Sequence, residues 1–539
     1  MRPNHPVNIC VDKKIALETT RTALHDMAMT ASHPDWKKVN PRNQIHFFFL
    51  CLSIIIRTMR KTIITITALL LFAVSAYTRA QEVSMPVLEI HLTKTIVKGM
   101  DYADGTMKLT DTDGKTIELP ARFKTRGATA QQYMMKPSLN MKLCSADYQT
   151  EVDSTLLGIR SCSSWILDAM AIDRICMRNR VAFDIWNEFS RLPYDTEFGG
   201  RNGTEGRFIE MYINDVYYGI YCLSDRINRK LLDLKKVKES SGSMQVRGVL
   251  YKSGTSDIEN QNEPGYNADY TACTVEWHNA WELTYPDDYA SEAIWQPLQD
   301  AILNGRSTDY VKKYFYLENL ADYQIHTMAL AIEDNMGNKN HYLSIRNINK
   351  NIDAADPDDA NRRRFVLTPW DLDTSLGGNY RGDYYGGNYS DWAVQDVAKN
   401  AFYPLYVLQA DDEFKALLKQ RWTQARTGAL SVESVKQKLE AYRDLFIGSG
   451  AWKRMTDHYA QQSNKPMLVD DLETEISLIE QWYENRFRQI DDYFGITDGV
   501  DDIGITADPD QPVYYMNGTG AKDDAKGLLI RQNMKFYFE

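Results

Sequence analysis

Three short stretches of this 539-residue chain hold the residue types that phosphate and metal chemistry needs. The first is TPWDLDTSLGG, Thr368 to Gly378, in which Asp371 and Asp373 flank a leucine and run into Gly377-Gly378. In an extended strand residues i and i+2 share a face, so the spacing predicts two carboxylates side by side. That arrangement is costly unless a cation or hydrogen-bond donors compensate it. A metal-holding carboxylate at a strand end fits the pattern; so does a calcium site, or a turn in which the aspartates bond local N–H groups. The glycine pair is expected to let the following loop move.

The second stretch is AIEDNMGNKNHYL, residues 331 to 343. Glu333 and Asp334 close an apolar helical run, and Asn335, Asn338 and Asn340 follow before an apolar strand begins. A carboxylate trailed by a carboxamide suits phosphoryl transfer, where one loop supplies a catalytic Asp and a metal-binding Asn. A helix C-terminus with Asn and Gly in left-handed conformations reads the same way locally. The third stretch is FKTRGATAQQYMMKPSLNMKL, residues 123 to 143, a loop opening at Arg126-Gly127 between two strands and followed by Lys136 and Lys142. Backbone N–H groups and cations there could cover phosphates, although a hairpin with basic flanks is common.

These stretches need elements to hold them. Glu82 to Leu119 alternates apolar and polar residues around Asp-Gly turns and predicts antiparallel strands. PARFKTRG and KPSLNMKL predict a second strand pair. Trp165 to Ser190 shows a helical stripe. RFIEMYI and YYGIYCLS predict a hairpin joined at Asn214-Asp215 and closed by Asp225. Residues 228 to 275 read as an irregular, turn-rich insertion, and Ser291 to Ile332 as helical. HYLSIR and RFVLTPWDLD predict a strand pair across a polar loop. Residues 400 to 495 carry long amphipathic helices, and VYYMNGTGAKDDAKGLLIRQNMKFYFE a small strand module behind an Asp/Gly-rich linker. The class is α+β, with a strand-rich N-terminal part, a helix-rich C-terminal part and a cleft expected between them.

Composition sets outer bounds. With 43% hydrophobic and 25% charged residues the chain is globular in type, and a net charge of -11 without a basic stripe argues against a nucleic-acid partner. MRKTIITITALLLFAVSAYTRAQ, from Met59, has the basic, apolar and small-residue parts of a secretory signal. It predicts a signal at 59–80, with residues 1–58 a mis-annotated or poorly structured extension and no transmembrane helix in the mature chain. Cys144, Cys162, Cys176, Cys222 and Cys273 lack zinc-type spacing and are expected to be mostly buried thiols, with at most two disulfides.

The order of these motifs resembles the spore-coat protein H (CotH) kinases, a secreted branch of the protein-kinase-like fold. RFKTRGATAQQYMMKPSLNMKL resembles the family's Arg-Gly-Asn-Ser loop and Lys-rich strand, with Ala128-Thr129 replacing Asn-Ser. WILDAMAIDRICMRNRVAFDIW carries Asp173, Arg178 and Asn179 in the family's order. FIEMYINDVYYGIYCLSDRI resembles its hairpin, with Asp215 for the usual turn Gly and Asp225 for the usual Glu. WELTYPDD, EDNMGNKNHYL and PWDLDTSLGG complete the series. The resemblance implies a kinase that uses ATP and Mg2+ or Mn2+ on a Ser or Thr hydroxyl of an exported protein. By the same likeness Asp334 would be the catalytic acid-base residue and Arg126 a neutralising cation. Lys136 or Lys142, with Arg126 and Asp225, would contact nucleotide; Asp371, Asp373 and Asn340 would hold metal.

The implied organisation is an N-terminal strand region at 81–120, a CotH-like domain at 121–495, a linker at 496–511 and a module at 512–539. That last module resembles a C-terminal sorting module of Bacteroidetes proteins, implying the periplasm, cell surface or medium. Two alternatives compete: a non-catalytic surface binding protein using the aromatic loop GGNYRGDYYGGNYSDW, which contains Arg381-Gly382-Asp383, and an enzyme transferring AMP instead of phosphate.

Overall fold

Strict alternation in ADGTMKLT, where every second residue is buried, marks the wall of the first layer. The computed structural model describes residues 83–96, 101–127, 135–196, 199–240, 243–253, 277–278, 281–286, 292–337, 339–379, 392–399, 402–463, 465–496, 514–515, 527–531 and 534–538. The expected signal, the 128–134 loop, Asn338, Cys273 and Arg381-Gly382-Asp383 lie outside these residues. The chain divides into two units, Met1–Val83 and Ser84–Glu539, and every element named below belongs to the second.

Seven strands form a closed barrel: β1 (Val87–Leu92), β2 (Ala103–Thr110), β3 (Thr116–Thr125), β4 (Leu139–Leu143), β5 (Ser164–Asp168), β6 (Gly206–Ile213) and β7 (Val216–Asp225). Their order is β1-β2-β3-β4-β5-β7-β6, and β1 closes the ring by pairing parallel to β6, while the other pairs are antiparallel. Leu88, Ile90, Met107, Phe123, Met141, Trp165, Met211 and Tyr221 fill one hydrophobic core with the inward residues of the ring. Burying each such side chain fully contributes roughly 1.5–3 kcal/mol. The expected boundary at residue 120 falls inside β3.

The hairpin between β6 and β7 turns at Asn214 and Asp215, with φ of 47° and 65°. A two-residue hairpin loop of type I′ has positive φ at both positions, which Asn and Asp tolerate better than other non-glycine residues. The exchange of the family's Gly for Asp215 is therefore compatible with the turn.

The helix expected across Trp165–Ser190 is partly a strand. Ser164–Asp168 is β5, and α1 (Arg178–Phe189) begins only after a turn. β5 lies between β4 and β7, and its three central residues are all buried, so it shows none of the alternation that identifies a half-buried strand. Asp173 organises the turn: its carboxylate accepts from the backbone N–H of Ile175, Met177 and Arg178 at 3.2, 2.7 and 2.7 Å, doing for α1 what an N-cap side chain does.

The described residues between 228 and 253, the first part of the segment expected to be irregular, contain regular strands. These are a small hairpin, β8 (Lys238–Ser240) with β9 (Ser243–Gln245), and then β10 (Val249–Ser253). β10 is the middle strand of a second sheet, ordered β11 (Trp277–His278), β12 (Trp281–Tyr285), β10, β13 (His341–Ile345), β14 (Phe365–Pro369). β13 and β14 form the expected antiparallel pair, and the polar connection between them contains a short helix, α5 (Pro357–Arg363).

Before that pair come α2 (Glu292–Asn304), α3 (Thr308–Tyr314) and α4 (Leu317–Leu330); α4 is buried from Asn319 to Leu330. After it come α6 (Val394–Ala398), α7 (Tyr403–Leu408), α8 (Asp412–Ala425), α9 (Val432–Gly448), α10 (Ala451–Tyr459) and α11 (Leu472–Phe494). Side-chain caps from Asp411, Ser431 and Asp471 start α8, α9 and α11, and Gly495 in the left-handed region stops α11. The tail is a three-stranded sheet, β15 (Tyr514–Tyr515), β16 (Gly527–Arg531) and β17 (Met534–Phe538). Cys144, Cys162, Cys176 and Cys222 are buried free thiols, as expected. Among the described residues no helix is long and apolar enough to cross a membrane.

Candidate functional site

Two loops meet at the ends of β13 and β14. The first leaves α4 through Ala331, whose φ of 49° breaks the helix, and makes one 3-10 turn, Glu333–Asn335. The second follows Pro369 and contains Asp371 and Asp373. Buried Asn335 ties them, donating from Nδ2 to the carbonyls of Asn340 and Trp370 at 2.9 and 3.1 Å. Trp370 N–H returns to the Asn340 carbonyl at 2.8 Å, and Leu376 N–H reaches the Leu330 carbonyl at 2.8 Å. The acidic stretches are thus fastened together through backbone groups that would otherwise be orphaned.

Asp371 is not on an extended strand. β14 ends at Pro369, and Asp371 has φ of 56°, so the same-face argument from strand geometry does not apply. A turn brings the two carboxylates into mutual influence instead. Burial pushes the Asp373 carboxyl well above its ordinary value, and the charges of Asp371, Asp168, Asp173 and Asp334 push it further the same way. Asp371 keeps contact with solvent, yet the protein massed around it raises its pKa too; Arg126 and Lys252 oppose that rise while Asp168 and Asp334 add to it.

Asp334 is held by its own loop. Lys339 Nζ donates to both of its carboxylate oxygens at 2.6 Å, and Asn340 Nδ2 donates to Oδ2 at 2.9 Å. Arg126, just past β3, lays its guanidinium 5.3 Å from the centre of the Trp370 ring, beside Asp371. Asp334, Asp371, Asp373, Asn340 and Arg126 are therefore brought to one place.

Lys136, Lys142 and Asp225 are placed otherwise. Lys136 is fully buried, with Nζ donating to the Ala169 carbonyl at 2.6 Å and lying 5.1 Å from the centre of the Tyr221 ring. Burial lowers its pKa, opposed by Cys176, Asp168 and Asp173. Lys142 pairs with Glu151 at 2.6 Å and stands opposite Ser164, at the far end of β5 from Asp168. Asp225 also lies toward that end, opposite Trp165, its carboxylate engaged by Arg160 at 2.6 Å, Arg201 at 2.9 Å and the Glu205 N–H at 2.8 Å.

Four residues to which the sequence reading gave no role belong to the neighbourhood. Asp168 ends β5 and accepts from Ser138 Oγ, Met170 N and Asn179 Nδ2 at 3.2, 3.1 and 2.9 Å. Asn179, in the first turn of α1, accepts the Leu372 N–H at 3.1 Å, so one amide joins the barrel to the peptide between Asp371 and Asp373. Lys252 and Lys339 are the other two. VLYKS is a compact apolar run bounded by Gly248 and Gly254, a strand signal that would have placed Lys252 on an ordered element.

Gly378 is packed closely. A Cβ there would meet Arg178 Nε at 3.0 Å and Cδ at 3.2 Å, so the missing side chain lets the acidic turn close over a buried arginine. That arginine is paired with Asp173 at 2.6 Å.

Residues 123–490 match the family model described as CotH kinase protein. The chain belongs to the CotH kinase family. Among curated proteins no significant match is found. Membership makes a kinase-type activity the expectation for this CotH chain, with ATP as donor and usually a divalent metal. The matched region contains every candidate residue and begins within β3 of the barrel.

Among the described residues no group of three or more His, Cys, Asp or Glu side chains is arranged to hold a metal ion alone. Magnesium is usually bound through one or two carboxylates plus substrate phosphates, and two acids that disfavour their charged forms suit such sharing. Two surface pockets of about 420 and 430 Å3 lie elsewhere, around Arg421 and Gln424 and around Arg207 and Lys438.

Proposed function

We propose that the protein is a secreted, metal-dependent kinase that transfers the γ-phosphate of ATP to a Ser or Thr hydroxyl of an exported protein. One observation carries this reading: Asp334 and the Asp371/Asp373 turn, distant in sequence, are fastened to each other through Asn335, Asn340 and Trp370 within the span matched by the family. Asp334 orients the acceptor hydroxyl and takes its proton. Asp371 is the first metal ligand, Asp373 the second, and the Asn340 carboxamide supports them through Oδ1 while its Nδ2 stays on Asp334. A divalent ion bound there supplies charge neutralisation on the phosphates. Arg126 and Lys252 both act electrostatically on Asp371 and neutralise the transferring group from the protein side. The apolar segment after Met59 and the strand module at the C-terminus support export to the periplasm, cell surface or medium.

The test incubates the mature protein with γ-labelled ATP and Mg2+ or Mn2+, beside Asp334→Ala and Asp371→Ala. Label incorporation lost in both variants supports the kinase. Incorporation from α-labelled ATP identifies AMP transfer instead, and the absence of both incorporation and nucleotide-induced thermal shift returns the chain to a binding protein.

A further inference from the structure

Lys339 occupies the carboxylate that catalysis needs. Its ammonium spans both oxygens of Asp334 at 2.6 Å, and Asn340 takes a further lone pair on Oδ2. An acceptor hydroxyl must donate its hydrogen to one of these oxygens, and three of the roughly four acceptor positions on the carboxylate are already taken, with the ammonium set across both oxygens. The backbone around Lys339 is fixed: its carbonyl accepts from His341 Nδ1 at 3.1 Å, and the Asn340 carbonyl accepts from Trp370 N and Asn335 Nδ2. The ammonium is not fixed in the same way. It ends a flexible four-carbon stem, and about a third of the side chain is exposed.

We infer that Lys339 is a charge switch that leaves Asp334 for the terminal phosphate of a bound nucleotide. This rests on the kinase reading above and adds an order of events to it. A triphosphate presents a terminal group with more negative charge and more acceptor oxygens than one carboxylate, so the ammonium gains by the exchange. Its departure uncovers Asp334 for the acceptor hydroxyl and places a cation on the group to be transferred. A diphosphate lacks that terminal group and leaves Lys339 on Asp334. The loop therefore distinguishes ATP from ADP, and the acceptor site is readied only by ATP.

The test is equilibrium binding by calorimetry with Mg2+, using a non-hydrolysable β,γ-substituted ATP analogue and ADP, on the wild type, Lys339→Met and Lys339→Arg. In the wild type the analogue binds more tightly than ADP. Lys339→Met is expected to cut that preference about tenfold while ADP affinity stays within about twofold, the loss of one charge-assisted contact. Lys339→Arg, which keeps the charge, retains most of the preference and controls for folding. A Lys339→Met protein with an unchanged analogue-to-ADP ratio overturns the switch, and the kinase reading survives if Asp334→Ala and Asp371→Ala still abolish transfer. A wild type that binds neither nucleotide overturns both.

Discussion

Asp173→Ala probes how the acidic turn is supported from below. The carboxylate removed is buried, accepts three backbone N–H groups at the head of α1, and pairs with buried Arg178 at 2.6 Å. Glu475 also lies within electrostatic reach of Arg178, so the guanidinium keeps a weaker counter-charge. Breaking a buried pair by removing one partner costs about 3–5 kcal/mol. Losing a cap adds about 1 kcal/mol. Allowing for Glu475, we expect a loss of about 3–5 kcal/mol, a large share of the roughly 5–15 kcal/mol that stabilises most domains. Urea unfolding followed by tryptophan fluorescence reads this as a midpoint lowered by about 1–2 M, for a slope of about 3 kcal/mol/M. Because much of the cost is the charge left behind, Asp173→Ala/Arg178→Met should recover about 2 kcal/mol relative to Asp173→Ala. A double variant no more stable than Asp173→Ala refutes the ion-pair reasoning and leaves only the cap.

Other expectations follow from the same contacts. Gly378→Ala forces a methyl against Arg178 and should lower stability by about 1–3 kcal/mol in the same urea assay, with kinase activity falling in parallel. Burial lowers the pKa of His326 and His341 from 6.5 to about 4, so the unfolded chain binds more protons between those values. Stability contributed by each neutral ring is present above pH 6.5 and lost as pH falls toward 4, about 2 kcal/mol per histidine by pH 5; His326→Gln should flatten that part of a stability-versus-pH curve. Asp373 has the opposite sign. Its folded pKa is raised, so its penalty is absent below the unfolded value of 3.8 and grows as pH rises through the folded one. Asp373→Asn should therefore raise the urea midpoint of chelator-treated protein at pH 7 and leave it unchanged near pH 3. Lys142→Ala, which removes the Glu151 pair and the contact with the Tyr102 ring, should leave transfer within about twofold of wild type in the labelled-ATP assay.

The parts of the fold legible in the sequence are those with clear boundaries. The β6–β7 hairpin and the β13–β14 pair are apolar runs closed off by turn or polar residues, although β13 and β14 are buried throughout, and the helices after residue 411 begin at side-chain caps. β5 lacks such a boundary, because its buried WIL run continues without a turn signal into residues at helical spacing. The site follows the same division. Asp334 and the Asp371/Asp373 turn stand out because acids beside apolar strands are unusual. Asp168 was hidden within the misread strand, and Lys252 within a segment that looked irregular. Asp371 and Asp373 drew notice for a shared strand face they do not have; the left-handed turn at Asp371 achieves their proximity by another route. No local pattern indicates that Asn179 would span from Asp168 to Leu372, because that link exists only after the barrel and α1 have met the second loop.

The parallel seam between β1 and β6 determines which cuts the protein can survive. A ring has no free edge, so each strand is held on two sides, and β1 is bonded both to β2 and to a strand more than a hundred residues later. A protease that trims the chain up to Val83 removes none of those bonds. One that cuts within Val87–Leu92 opens two seams at once, exposing unpaired strand edges on β2 and β6 and one end of the core around Leu88 and Ile90. The first residues of the barrel lie upstream of the span that identifies the family, and a chain started at residue 121 would lack two of the seven staves and half of a third.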